Sequence, residues 1–151
     1  MSSNTYAQFI NKHWGKSIMI SPNKSKIEVS FAVGLKETTK GLSGMKPDQM
    51  KANEGLFFYY EKMGPMAFWM PNTFFNLDII FIDKDLRVVA VEENMKHFEK
   101  KGPPEEVPMT KQHHAQYVLE LKAGQAKKFG IKPGKFIKWS DKSEKVKLFR
   151  K

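Results

Sequence analysis

The 151-residue chain contains no cysteine. Thiol nucleophiles, disulfide frameworks and cysteine-ligated zinc are thereby excluded, while the compartment stays open. Arginine is almost as scarce. Arg87 and Arg150 stand alone among 26 basic residues, and every other cation is lysine. Lysine lacks the planar fork that reads guanine edges or clamps phosphate bidentately. The net charge of +10 therefore suits solubility, or loose and salt-sensitive attraction to polyanions, better than base-specific recognition. No apolar run approaches the roughly 20 residues that span a bilayer, so no transmembrane segment is expected. The opening MSSNTYAQFINKHWGKSIMI lacks a basic region followed by an apolar one and is no signal peptide as written, which fits the cytoplasm. A native leader removed and replaced by Met-Ser would instead make the protein periplasmic or exported. No cofactor is expected, and the oligomeric state is not legible.

What is present is ordinary for a folded domain: 40% hydrophobic and 28% charged residues, in a chain long enough to bury one core without staples. Residues 1–24 read as an N-terminal arm, 25–139 as a β-rich domain and 140–151 as a charged tail. KIEVSFAV (26–33) alternates apolar and polar residues as a half-buried strand does. The glycine-rich run after it excludes a long helix but leaves room for a short turn around 37–42. LFFYYE and MAFWM are strands whose KMGP connection predicts a hairpin. LDIIFID and RVVAVEE predict a second hairpin, turning near Lys84 and Asp85. Residues 94–114 form a long connection, and connections of this length are functional or mobile. QYVLEL is another strand. AGQAKKFGIKPG predicts a short helix with Ala126 and Phe129 inward, ended by Gly130 and closed by Ile131. KFIKW is the last strand. The fold class is mainly β (α+β): about seven short strands in a barrel-like sheet with one or two short helices.

The stretch FWMPNTFFNLDIIFID (68–83) sets Asn72, Thr73, Asn76 and Asp78 among apolar neighbours. Polar groups removed from water need partners, so these residues either lock a turn or line a site. In a strand from Leu77, Asp78 shares a face with Ile80 and Ile82. The expected lock is a set of amides from the PNTFFN turn. The functional alternative is a pocket of Trp69, Asn72, Thr73 and Asp78, with Tyr117 and Glu120 as neighbours. Trp69 would be its stacking wall, and Asp78 and the amide and hydroxyl groups its polar contacts. The histidines carry little signal: His113 and His114 point apart in an extended chain, and a zinc site built from His97, one of that pair and Glu92 or Glu93 is weak beside exposed loop histidines. Ser43 in GLSGM lacks the spacing and context of a nucleophile elbow. The consecutive aromatics read as core packing. The stretch 121–140 carries Lys122, Lys127, Lys128, Lys132, Lys135 and Lys138 without an acid, and with Trp69 nearby would form a single-strand or anionic-surface binder.

Several ordered blocks carry a resemblance: Gly41-Leu42, Gly55 to Phe58, Phe68 to Thr73, Leu77-Asp78 with Phe81, Tyr117 to Glu120, and Gly130 to Gly134. Together they resemble the bacterial and archaeal family known as domain of unknown function 192, over roughly residues 25–139. Pro71 stands where that family commonly has lysine, Ser43 where it has methionine, and Lys135 where it has aspartate. The resemblance implies a compact β-rich domain, often exported in bacteria, with no established activity.

These readings converge on a non-catalytic binding or interaction domain with a pocket for a small polar ligand or glycan around FWMPNT and Leu77-Asp78. One rival is a hydrolase with Asp78 as general base. The other is a weak nucleic-acid or anionic-surface binder using the lysines of 121–140.

Overall fold

The structure, a computed structural model, describes residues 16–140. His13, Phe9 and Trp14 of the arm, and Val146, Leu148 and Phe149 of the tail, lie outside the described residues. The strands are β1 (Ser17–Ile20), β2 (Lys26–Val33), β3 (Glu54–Met66), β4 (Leu77–Ile82), β5 (Val88–Met95), β6 (His113–Lys122) and β7 (Lys138–Trp139). Two short helices, α1 (Leu35–Lys40) and α2 (Gln125–Lys128), complete the regular structure together with single 3-10 turns at Pro47–Gln49 and Pro104–Glu106. The sheet order is β5-β4-β6-β3-β2-β1-β7, antiparallel except between β2 and β3. That parallel pair requires a crossover, which α1 and residues 41–53 supply. Among the described residues no helix is long and apolar enough to cross a membrane.

The sheet curls until the start of β5 meets the segment that leads into β7. Val88 N–H donates to Lys135 O at 2.7 Å, Gly134 N–H to Val88 O at 2.8 Å and Ile137 N–H to Leu86 O at 3.1 Å. The result is a barrel-like half-closed sheet with two apolar clusters, one on each face. Inside the curl, Met19, Ile27, Val29, Phe31, Phe57, Ile80, Leu119 and Ile137 pack with Ala126 of α2 and with Phe129 at its C-terminal end. On the outer face, Leu42, Met50, Phe58, Met70, Leu77, Ile79, Phe81 and Val118 pack beneath the long connections. Strands covered on both faces explain why β4 is buried throughout and loses period-two patterning.

Three expectations need correction. β1 lies within the span read as an arm, so the sheet begins at Ser17. Its four residues SIMI are too short for periodicity to register. LFFYYE and MAFWM are joined by no hairpin: residues 54–66 run as one strand, Gly55–Tyr59 pairing with Leu121–Tyr117 and Gly64–Met66 with Ala115–His113. The register breaks between Tyr59 and Gly64, a bulge that takes in the lysine and methionine of KMGP, and the ladder resumes at its glycine and proline. Gln116 Nε2 fills the gap by donating to Tyr60 O at 3.1 Å. Third, the connection after β5 is strapped down. Met70 N–H donates to Pro108 O, Asn72 N–H to Lys100 O and Thr73 N–H to Phe98 O.

The expected helix end forms as its sequence predicts. Gly130 has φ +70, its N–H donates to Lys127 O, and Ile131 N–H donates to Ala126 O with the Ile131 side chain buried. This is the paired bonding of a Schellman cap.

Candidate functional site

The polar residues of 68–83 separate according to the face of the sheet they occupy. Asp78 lies on the inner face and is 1% exposed. Its Oδ1 accepts the Asn94 amide at 2.9 Å, and its Oδ2 accepts the Gly124 and Ala126 amides at 2.9 and 3.0 Å. Asp78 thereby ties β4 to the end of β5 and caps α2, which is too short to persist without tertiary support. The lock exists, but its donors come from the partner segments and none from the PNTFFN turn. That turn binds elsewhere. Thr73 Oγ1 donates to Met70 O and accepts the Phe98 amide, while Asn76 Oδ1 accepts the His97 amide. Asn72 sits at φ +55, and its carbonyl accepts the Gly44 amide.

Glu120 lies on the opposite face, cross-strand from Ile79 and Leu56. It is 4% exposed. Among the described residues the ion pairs are Lys16–Glu54, His97–Glu99 and His113–Glu92, and neither a cation nor a hydrogen-bond donor meets the Glu120 carboxylate. Burial alone pushes its carboxyl up to about 8, because the charged form has lost water and gained nothing.

The carboxylate borders a cavity of about 180 Å³, open to solvent on one side, between α1, β3 and the FWMPNT segment. Gly41 (φ +51) passes over it: a Cβ there would stand 3.3 Å from Phe58 Cζ and 3.8 Å from Glu120 Oε1. The left-handed backbone and that close approach both favour glycine. Phe58 and Phe68 form an edge-to-face wall with ring centroids 4.9 Å apart. Trp69, 45% exposed, stands at the mouth and bridges to Met109. Lys40 forms part of the rim. Tyr60 also lines the cavity. Burial pushes its phenol up to about 12; the Thr38 hydrogen bond opposes the shift and the Glu120 charge adds to it.

Of the six residues expected at a pocket, Trp69, Thr73 and Glu120 line this cavity, and Asn72 shapes the adjoining turn. Asp78 and Tyr117 do not join them. Tyr117 packs inside the curl, its ring 5.3 Å from Phe57 and 5.7 Å from Tyr59, and burial raises its phenol. Strand parity accounts for the split: positions 117 and 120 are three apart, so they face opposite ways. The same parity, applied to LFFYY, marks Phe58 and Tyr60 as neighbours of Glu120, whereas Thr38 and Gly41 carry no comparable signal.

The remaining candidates are dispersed. Lys122 donates to Pro47 O at 2.6 Å and lies 5.3 Å from the Phe75 ring centroid. Lys127 and Lys128 end α2, and Lys132, Lys135 and Lys138 are exposed around the approach to β7. Because α2 covers the inner cluster and Trp69 the outer cavity, Trp69 and the α2 lysines lie on opposite faces, contrary to the expected proximity. Ser43 Oγ donates to Pro71 O at 2.9 Å. His113 Nε2 lies 2.8 Å from Glu92 Oε2, while His97 pairs with Glu99. Among the described residues no three His, Asp or Glu side chains are placed to hold a metal ion.

Residues 18–139 match the family described as Uncharacterized ACR, the domain of unknown function 192. The chain belongs to that family. Two solved structures share the family member's fold. One is a candidate transcription regulator from Sinorhizobium meliloti 1021, 27% identical, covering 83% of this chain and 92% of its own, with a TM-score of 0.67. The other is a protein of unknown function from Novosphingobium aromaticivorans DSM 12444, 26% identical, covering 82% and 84%, with a TM-score of 0.65. No curated protein matches the chain.

Proposed function

We propose that this member of the domain of unknown function 192 family is a non-catalytic binding domain whose ligand, a small polar molecule, enters the Glu120 cavity. One observation carries this reading: a carboxylate 4% exposed, without a donor among the described residues, faces about 180 Å³ of open space. A buried polar group left unsatisfied costs free energy that a ligand can relieve. The volume suits a group about the size of benzene, which fills an engineered cavity of roughly 150 Å³. A glycan would place one ring at most inside and stack the next on Trp69. Hydrolysis with Asp78 as base has no support, since its oxygens are engaged by three amides on the other face. The test is a nuclear magnetic resonance screen of small polar fragments. Ligands are expected to shift the Trp69 indole and Glu120 carboxyl resonances together; fragments that bind only elsewhere would sink the reading.

A second reading, weak polyanion binding by the lysines of 121–140, draws on their acid-free stretch and on the description of the Sinorhizobium meliloti neighbour as a candidate regulator. Affinity for an oligonucleotide that falls steeply with salt would support it, and no affinity at low salt would end it.

A further inference from the structure

A carboxylate withdrawn from water is settled by amides, by a cation, by a proton or by a ligand. Asp78 uses amides. Glu120 has none, and although the chain carries 26 basic residues, no described cation pairs with it. The titratable and charged groups facing it are few. α1 contributes Lys40 at the rim, β3 contributes the Tyr60 phenol, and β4 presents Ile79.

The hydroxyls of the lining indicate which ligand would complete the site. Thr38 donates to Gly34 O, Ser43 to Pro71 O and Thr73 to Met70 O. With those protons committed to backbone carbonyls, these three hydroxyls keep only acceptor capacity, while the Tyr60 phenol, the Lys40 ammonium at the rim and the Trp69 indole at the mouth remain donors. A sugar or other polyol would offer the carboxylate hydroxyl donors but no counter-charge. A ligand that donates, carries positive charge and tolerates aromatic walls meets the carboxylate and the Phe58, Phe68 and Trp69 walls, because aromatic faces attract cations, with the Lys40 ammonium opposing it only at the rim.

We propose that the Glu120 cavity takes a small organic ammonium ion, its charge against the Glu120 carboxylate and its carbon skeleton against Phe58, Phe68 and Trp69. The inference rests on the binding reading above and names the ligand class. It carries a proton signature. With the carboxyl raised to about 8, Glu120 is mostly protonated at pH 7 and must release its proton when the cation enters. The ionised fraction, and with it the apparent affinity, rises about 50-fold between pH 6 and pH 8.

The experiment uses the full 151-residue chain, with isothermal titration calorimetry and carboxyl-carbon resonance spectroscopy. The probes are n-butylammonium, butyltrimethylammonium and the neutral n-butanol and glucose. n-Butylammonium is expected to bind more tightly than butyltrimethylammonium, which has no N–H to donate, and than both neutral probes, to release a proton at pH 7, and to lose at least tenfold in affinity in Glu120→Gln. Should that variant fold poorly, the pH dependence in the unaltered chain provides the same readout. Glucose or n-butanol binding in the cavity as tightly as the ammonium ions, with no proton release, would overturn the ammonium assignment and leave the pocket standing. A Glu120 carboxyl that titrates below pH 5 and rises in Lys40→Met would mean that Lys40 already supplies the cation, and would overturn it too. If no probe perturbs Glu120 or Trp69 at millimolar concentration, both proposals fall.

Discussion

Two acidic side chains, one on each face of the same sheet, are equally hidden from water and treated in opposite ways. Asp78 on the inner face receives three amides from two separate segments. Glu120, on the neighbouring strand and the outer face, receives none from the described residues and looks into a cavity. Burial by itself therefore says little about the role of a carboxylate; the donors around it decide. Where amides converge, the ionised group organises the chain. Where they are withheld, the group keeps a raised proton affinity and an unspent capacity to bind.

The comparison breaks most readily at Asp78. Asp78→Ala leaves three amides without their acceptor and frees the start of α2, and is expected to cost about 4–5 kcal/mol in urea denaturation at pH 7. A loss under about 1 kcal/mol would mean that the amides find other partners and that Asp78 is no lock.

Glu120→Gln should act in the other direction from about neutral pH upward. The folded carboxyl, at about 8, lies above the unfolded value of 4.5, so the folded chain holds a proton that the unfolded chain releases. The ionisation penalty is absent below about pH 4.5, grows as pH rises through the window from 4.5 to 8, and is complete above it. The shift bounds that penalty at about 5 kcal/mol. The amide's own burial offsets about 2 kcal/mol of it, leaving Glu120→Gln about 3 kcal/mol more stable than the unaltered chain at pH 9 and about 2 kcal/mol less stable at pH 4.5. Denaturation curves at the two pH values check this, and equal stabilities at pH 9 would show that Glu120 is already satisfied.

How much of this was legible in the sequence depends on the range of the interaction. The Gly130–Ile131 helix end is local, and its pattern reads directly from FGI. β2, half buried and alternating, is equally plain. The bulge at KMGP was misread because a turn composition also serves an irregular strand, and only β6, some fifty residues later, decides between them. The Asp78 lock was recognisable as a need. Its donors, Gly124 and Ala126, lie 46 and 48 residues away, where no local rule reaches. Parity along β6 separates Tyr117 from Glu120, although both were expected at one pocket. The missing partner of Glu120 is a property of the assembled face alone.

The smallest effect sharpens the comparison most. Trp69 stands at the cavity mouth, 45% exposed, with its backbone bridged to Met109. Trp69→Ala removes a half-exposed ring and no lock, so its cost should stay near 1 kcal/mol, well below that of Asp78→Ala. If the outer cavity exists to bind, the same substitution should remove a stacking wall and weaken fragment binding at least fivefold, with the Glu120 carboxyl still titrating near 8. A variant as destabilised as Asp78→Ala would recast Trp69 as a pillar of the outer cluster. One that is stable and binds normally would detach the tryptophan from the site. Only the combination of an intact fold, an intact titration and a weakened ligand identifies a face built for a visitor.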